Sequence, residues 1–342
     1  MRWLLNLGRP LSRAWYHRGV CWGSLGYLAL VLLTALLLWG LSDRWWPATT
    51  LLFGPRWVLL LPLALLTAAA LVWDRALLMP LSLATLVILG PVMGLRTGWR
   101  GLFVEEDPDQ DIRVVSFNAR GGGNLIRTPI NLLTDWDADI AAFQECREDL
   151  RQGLQELEGW HTHSVAGLCL VSRLEIREMQ EMNREDFEYA GGSGLVATYR
   201  FALGERPFYL TNLHLETPRA GFELLRSGQV REGAWVTQQR SFLRGAEMRR
   251  ARMWVNGFVG PHLVVGDFNT PPESLNYRSA WSDWQNAFSS VGRGLGGTRL
   301  NGWIRVRIDH IVANQEWEVV DSRLGQDVGS DHLPMIATLR LR

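Results

Sequence analysis

The sequence contains no lysine, so all 35 basic side chains among its 342 residues are guanidinium groups. Cysteine is scarce: Cys21, Cys146 and Cys169 form neither a zinc-binding spacing nor a dense disulfide framework. Cys21 sits in an apolar run. Cys146 and Cys169 read as two buried thiols, with a disulfide outside the cytoplasm as the alternative. There is no internal repeat, and the glycine-rich turn Gly292–Gly297 lacks a phosphate-loop pattern. Net charge is also lacking, but only in the sum. Residues 1–100 hold nine arginines against Asp43 and Asp74, a net +7, and the remainder holds 26 arginines against 33 acids, a net −7. An acidic body argues against broad, sequence-independent nucleic-acid binding, which needs many cations to neutralise phosphates.

Three stretches near the N-terminus have no charge at all: Gly19–Ser42, Trp57–Trp73 and Ala76–Leu95. Each is close to the length needed to cross a hydrocarbon core of roughly 30 Å as a helix. The first is too long for a signal-peptide core, and Trp39-Gly40-Leu41-Ser42 is no small-residue cleavage site. It reads as a retained anchor. Asp43–Arg56 reads as a loop whose Trp45 and Trp46 fit an aromatic belt. Pro80, Gly90 and Pro91 are expected to bend the third run. Arg2, Arg9, Arg13 and Arg18, with no acid among them, place the N-terminus in the cytoplasm. Three crossings then put everything after Leu95 on the far side. Residues 101–111 read as an acidic linker, and residues 112–342 form a body large enough for one core.

Within that body, Leu263-Val264-Val265 is a short buried strand. Gly266 ends it and permits a close backbone approach. Asp267 and Asn269, two apart on an extended chain, face one place while Phe268 faces the core. Pro271 and Pro272 force the chain out of the sheet. Other strands end in chemistry-bearing residues too. Ile112–Phe117 runs into Asn118, and Gly121–Gly123 then turns. Ile140–Phe143 runs into Gln144-Glu145. Phe208–Leu215 carries Asn212 and His214. Arg305–Val312 contains Asp309, an acid costly to bury unless it is paired. Asp331-His332 precedes the last strand, Met335–Leu341, and an adjacent aspartate can orient a histidine ring. Helices are expected over Thr128–Trp136, Glu148–Leu157 and Val236–Phe258. Thr217–Arg252 has eight arginines against three acids. Taken singly, each acid or amide also reads as a turn former or an exposed charge. Together they resemble a site in which oxygen ligands hold a hard divalent ion and a His–Asp pair handles protons.

In their order, the strings Ser116-Phe117-Asn118, Phe143-Gln144-Glu145, Asn212-Leu213-His214, Gly266-Asp267-Phe268-Asn269, Arg307-Ile308-Asp309-His310 and Gly329-Ser330-Asp331-His332 resemble the endonuclease/exonuclease/phosphatase superfamily. The resemblance spans Ile112 to Leu341. It implies a DNase-I-like, four-layer α/β sandwich, here preceded by three transmembrane helices. It implies Mg²⁺ (or Mn²⁺) held by Glu145 with Asn118. Asp267 and Asn269 would position the attacking water or the leaving oxygen, and His214 would contact the phosphate. His332, oriented by Asp331 or Asp309, would be the base or a transition-state stabiliser. The anchor-plus-domain layout resembles the membrane-anchored bacterial branch that includes VanJ-type teicoplanin-resistance proteins. That branch implies a phosphatase acting on a lipid-linked, undecaprenyl-type pyrophosphate at the outer membrane face, with membrane and lipid as its partners and no protein partner. Pro218 is expected to end the His214 strand and start a loop, placing Arg219 at the rim to grip a second phosphate. The alternatives are an anchored extracytoplasmic nuclease or phosphodiesterase and a catalytically silent membrane protein.

The charge pattern makes one test direct. A reporter that works only outside the cytoplasm, fused after Arg342, should be active. Activity from a cytoplasmic reporter at that point would overturn the topology.

Overall fold

A computed structural model describes residues 11–120 and 125–342. Arg2, Arg9 and the Gly121–Gly123 turn lie outside the described residues. Three N-terminal segments are long and apolar enough to cross a membrane: Trp15–Arg44, Arg56–Trp73 and Arg75–Val92. They are built on helices α1 (Leu11–Leu36), α3 (Leu60–Trp73) and α4 (Leu78–Val87). Val31, Leu63, Ala70, Leu81 and Ala84 form the seam between them. After α4 the chain widens into π-helix over Ile88–Val92, which contains Pro91. Proline has no N–H to give the regular ladder, so the winding changes there. The stretch expected as a loop between the first two spans contains a helix instead, α2 (Trp46–Phe53), with Pro47 in its first turn where a missing N–H costs nothing.

The body is two six-stranded sheets stacked face to face with helices on both outer sides, the four-layer arrangement expected. The strands are β1 (Asp111–Asn118), β2 (Ile140–Gln144), β3 (His161–Val165), β4 (Leu168–Ser172), β5 (Glu178–Glu181), β6 (Leu195–Leu203), β7 (Arg206–His214), β8 (His262–Asp267), β9 (Gln285–Asn286), β10 (Asp309–Ala313), β11 (Trp317–Leu324) and β12 (Met335–Leu341). The first sheet has the order β11-β12-β1-β2-β4-β3, and the second β9-β10-β8-β7-β6-β5. Each contains one parallel pair, β1 with β2 and β7 with β8; their other pairs are antiparallel. Val114, Ile140, Ala142, Leu210, Leu263 and Val265 fill the space between the sheets. The alternate residues Val115, Phe117 and Phe143 pack outward on α5 (Pro129–Trp136) and α6 (Glu148–Gln155). Val264 and Phe268 pack outward on α9 (Val230–Val255) and α10 (Leu275–Trp281), which follow the short helices α7 (Glu185–Tyr189) and α8 (Arg219–Arg226) in the chain. Burial on both faces explains why these strands are apolar runs rather than alternating ones.

Three expectations need correction. Arg305–Val312 is not one strand. Ile304–Val306 closes a hairpin with Arg299–Asn301, the chain breaks, and Asp309 is the first residue of β10 rather than an interior one. Cys146 and Cys169 are not thiols but a disulfide with Cα atoms 5.8 Å apart. Extended pairing stops at Asp267, because Asn269 has φ 47°.

The N-terminal helical module is locked onto the body through Asp43, which is 3 % exposed. Its Oδ2 accepts from Asn276 N (3.1 Å), Ser42 Oγ (3.0 Å) and Ser274 Oγ. Its Oδ1 lies 3.6 Å from the wholly buried guanidinium of Arg244 on α9. Gln238 Nε2 donates to the Asp43 carbonyl at 3.1 Å, and Leu275 N to Ser42 Oγ at 2.8 Å. Arg56, which opens the second span, pairs with Glu273 at 3.3 Å. A buried ion pair contributes little net stability, but breaking one half is costly because the other charge stays buried. Asp43→Ala should therefore destabilise the purified protein by about 3–5 kcal/mol. Adding Arg244→Met should recover much of the loss, as read from thermal unfolding.

Candidate active site

The two parallel pairs end at the same place. In the first sheet Asn118 is level with Gln144, and in the second His214 and Asp309 are both level with Asp267. Facing strand ends therefore bring Asn118, Glu145, His214, Asp267, Asp309 and His332 together. Gly266 makes the approach possible: at φ 142°, a side chain there would meet the Leu213 backbone carbonyl oxygen at 2.0 Å.

Asp267 Oδ2 is the hub. It accepts from Asn118 Nδ2 at 3.0 Å, and His214 Nε2 and His332 Nε2 each lie 3.8 Å away. Its Oδ1 accepts from Asn269 N at 2.8 Å, so the Asx turn and the site are one feature. Asn269 Nδ2 donates to the Leu215 carbonyl at 2.8 Å, which fixes its side chain. Asn118 Nδ2 also donates to Glu145 Oε1 at 3.1 Å, and one amide thus bridges two carboxylates from two sheets. Glu145 has φ 50° and Arg120 φ 46°. Together with Asn269 they are three non-glycine residues in a costly conformation around one pit, where strain of this kind is held by its surroundings.

The partner of His332 is Asp309, at 2.8 Å from Nδ1. Asp331 turns away to Arg120 (3.2 Å) and Arg299, so of the two acids the sequence offered, the nearer in sequence is not the one that orients the ring. Ser330 Oγ donates to the Asn118 carbonyl at 2.8 Å and accepts from His332 N at 3.1 Å, tying the histidine loop to β1. Burial lowers the ring's pKa, but Asp309 and Asp267 outweigh it and raise the value to about 9. His332 is then an imidazolium at neutral pH and suits proton donation or stabilisation of developing negative charge. Burial and then Asp309 push the Asp267 pKa up, against His332, His214 and Asn118. A carboxylate held in that way suits a proton acceptor. His310, by contrast, is structural. Its Nε2 meets the Thr270 carbonyl at 2.9 Å and its Nδ1 meets Asn286 Nδ2 at 3.1 Å. Burial and then Arg307 lower its pKa to about 3.

Asp267, Asp309 and His332 each present one ligand atom within 4.8 Å of the others, a candidate metal triad. Glu145 and Asp267, joined through Asn118, add an oxygen-rich donor set of the kind hard divalent cations take. These residues fit such an ion, which would supply Lewis-acid polarisation of a phosphoryl oxygen. A protonated His332 is better placed as a charge partner than as a ligand.

The pit is the floor of a cavity of about 1070 Å³. Arg120, Arg219, Arg226 and Arg299 stand on its walls. Arg219 lines the cavity but does not open a loop: it is the first residue of α8 (Arg219–Arg226). Sequence reasoning missed Arg299 and the hairpin carrying it. It also missed the inter-sheet clasp in which Gln144 Nε2 donates to Asn212 Oδ1 at 2.7 Å and Asn212 Nδ2 to the Phe143 carbonyl at 3.1 Å. Both residues stood inside strings singled out, and a buried amide on each of two facing strands was the available signal.

A model of the endonuclease/exonuclease/phosphatase family matches residues 115–332. The chain belongs to that family. Its members are phosphoesterases and nucleases that typically use divalent metals. No curated protein sequence matches the chain. D. rerio TDP2 complexed with a single-strand DNA product is similar over 67% of this chain and 99% of that one, at 15% identity and TM-score 0.52. Truncated C. elegans TDP2 is similar over 67% and 98%, at 16% identity and TM-score 0.52. The endonuclease/exonuclease/phosphatase from Bacteroides vulgatus is similar over 68% and 99%, at 17% identity and TM-score 0.46. At these identities the likeness is one of fold.

The geometry separates two roles. Glu145→Ala should abolish turnover and weaken divalent-metal binding. His332→Ala should cut turnover by about 10²–10⁴, the usual contribution of a proton-handling side chain, with metal affinity nearly unchanged. Isothermal titration with Mn²⁺ beside a phosphoesterase assay distinguishes them. A His332 variant that loses metal as severely as the Glu145 variant would make the histidine a ligand.

Proposed function

We propose that this chain is a membrane-anchored, Mg²⁺-dependent phosphatase acting on a lipid-linked, undecaprenyl-type pyrophosphate at the outer face of the cytoplasmic membrane. The observation that carries the proposal is the join between acid pit and arginine wall in a chain that also has three candidate spans. Glu145 would hold the metal, with Asn118 fixing its carboxylate through the amide it shares with Asp267. Asp267 and Asn269 position the attacking water, and Asp267 accepts its proton. His332, held by Asp309, stabilises the charge that develops on the phosphoryl group, and His214 contacts the phosphate. Asp331 acts through Arg120 and Arg299 by fixing their guanidinium groups.

Arg219 and Arg226 make no ion pair among the described residues. Two uncommitted guanidinium groups beyond the pit suit a second phosphate, which a pyrophosphate has and a monoester lacks. The Cys146–Cys169 disulfide supports an extracytoplasmic body, since such bonds persist in oxidising compartments. It also anchors the residue after Glu145 to β4. The body's net charge of −7 weighs against an anchored nuclease.

Purified protein given Mg²⁺ with either a prenyl pyrophosphate or single-stranded DNA separates the two readings. Release of phosphate from the first and no cleavage of the second is expected. Arg219→Ala should weaken pyrophosphate turnover by about 1.5–3 kcal/mol, the range for hydrogen bonds to charged groups, and change hydrolysis of a simple monoester much less. DNA cleavage without phosphate release would replace the proposal with the nuclease.

A further inference from the structure

The cavity over the catalytic pit is not made by the catalytic body alone. Thr50, Phe53 and Pro55 form part of its wall. These residues lie between the first candidate span, which ends at Arg44, and the second, which begins at Arg56. Pro55 is thus one residue from a span. To the same wall α8 contributes Phe222, whose ring centroid lies 5.3 Å from that of Phe53. An aromatic pair of this kind is an apolar surface facing a cavity whose far end is charged.

A second observation sets the level of the bilayer. The hairpin Arg299–Val306 forms another wall, and Trp303 at its tip is 81 % exposed. That tryptophan lies against Trp57, with ring centroids 6.0 Å apart, and Trp57 Nε1 donates to the Trp303 carbonyl at 3.0 Å. Trp57 is the second residue of the second span. Tryptophan favours the membrane–water boundary, where its ring is half buried and its N–H is satisfied. The hairpin of the body and the start of the span therefore reach the same interface. The cavity is walled by both, at Pro55 beside the span and along the hairpin.

We propose that the contacting rings of Phe53 and Phe222 form one wall of the binding slot for the hydrocarbon chain of an amphiphilic phosphate, which enters from the lipid. The inference rests on the reading of the site as a hydrolase of lipid-linked phosphates, and adds the subsite and the route. The headgroup passes the arginine wall to reach the acid pit. The chain lies along the rings that α2 and α8 present and never crosses water. Specificity then comes from two separate contacts: guanidinium groups for the phosphates and aromatic rings for the first methylenes of the chain. A soluble phosphoester satisfies only the first.

The test uses full-length protein in lipid nanodiscs with a trace of a lipid phosphate carrying a diazirine on the methylenes next to its headgroup. After irradiation, adducts mapped by mass spectrometry should fall within Trp46–Arg56 and Arg219–Arg226. Adducts confined to the spans would overturn the slot. In parallel, Phe222→Ser should lower the ratio of kcat/KM for a long-chain prenyl pyrophosphate to that for a short-chain soluble analogue by about tenfold or more, the scale of losing one buried aromatic contact. An unchanged ratio, including equal loss on both substrates, would also overturn it. If wild-type protein hydrolysed neither substrate, the hydrolase reading would fall, and the adduct map would still decide the slot.

Discussion

Three carboxylates share one buried pit, and the structure around them is arranged to make that tolerable. Asp267 and Asp309 are buried and Glu145 is partly so. Charge removed from water must be paired or hydrogen-bonded. Here the compensation comes from across the interface between the sheets: Asn118 is 149 residues away from Asp267 in sequence and lies in the other sheet. His332 gives its Nδ1 to Asp309 and aims its Nε2 at Asp267. The same groups that hold the sheets together at this end thus hold the charges. The Gln144–Asn212 clasp repeats the device one layer deeper without charge. Local strain at Glu145 and Asn269 follows, because the backbone must turn sharply for the side chains to converge.

The N-terminal helical module belongs to the same arrangement. From Asn269 the chain runs through Thr270, Pro271, Pro272 and Glu273 to Ser274, the N-cap of α10 and a ligand of Asp43. The two prolines leave this link little conformational freedom. His310 holds the Thr270 carbonyl from behind. Anything that shifts the junction of the first two spans therefore acts on a stiff segment that begins at the site. The N-terminal helices, besides being long and apolar enough to cross a membrane, pack through Ser42 and Asp43 on the segment that follows Asn269.

Much of this was legible in the sequence because the central strands are buried on both faces. β8 and β12 stood out as short apolar runs, and the predicted bounds of β12 match the structure. The order of chemistry-bearing strand ends did the same for the family. β11 was missed because only its inner residues are apolar: Glu318, Asp321 and Arg323 interrupt it. Asp43 looked like an ordinary loop acid, since nothing in a linear reading shows that it will meet Arg244, some two hundred residues on. The disulfide was equally hidden, because two cysteines 23 residues apart do not announce that their strands will be neighbours. The partner of His332 could not be read from adjacency, since orientation across strands outranks proximity along the chain.

The arginine-rich segment shows how structure divides what sequence leaves pooled. Eight guanidinium groups over Thr217–Arg252 resemble a single basic patch. In the fold, Arg240 is committed to Glu216 at 3.0 Å and to the Gly191 carbonyl, and Arg252 to Asp283 at 2.6 Å. Arg252 also lies over the rings of Trp281 and Trp284. Arg244 is buried beneath Phe53 and serves the junction with the N-terminal helical module. Exposed pairs of this sort contribute little to stability, but each removes one cation from any patch available to a polyanion. Arg231, Arg249 and Arg250 are exposed and make no ion pair among the described residues, whereas Arg219 and Arg226, on α8, line the cavity. A surface built to track a nucleic-acid backbone would keep such cations in an open row. Two at the mouth of a pocket, beside an aromatic pair and a candidate membrane span, are the feature on which the proposed lipid-phosphate substrate rests.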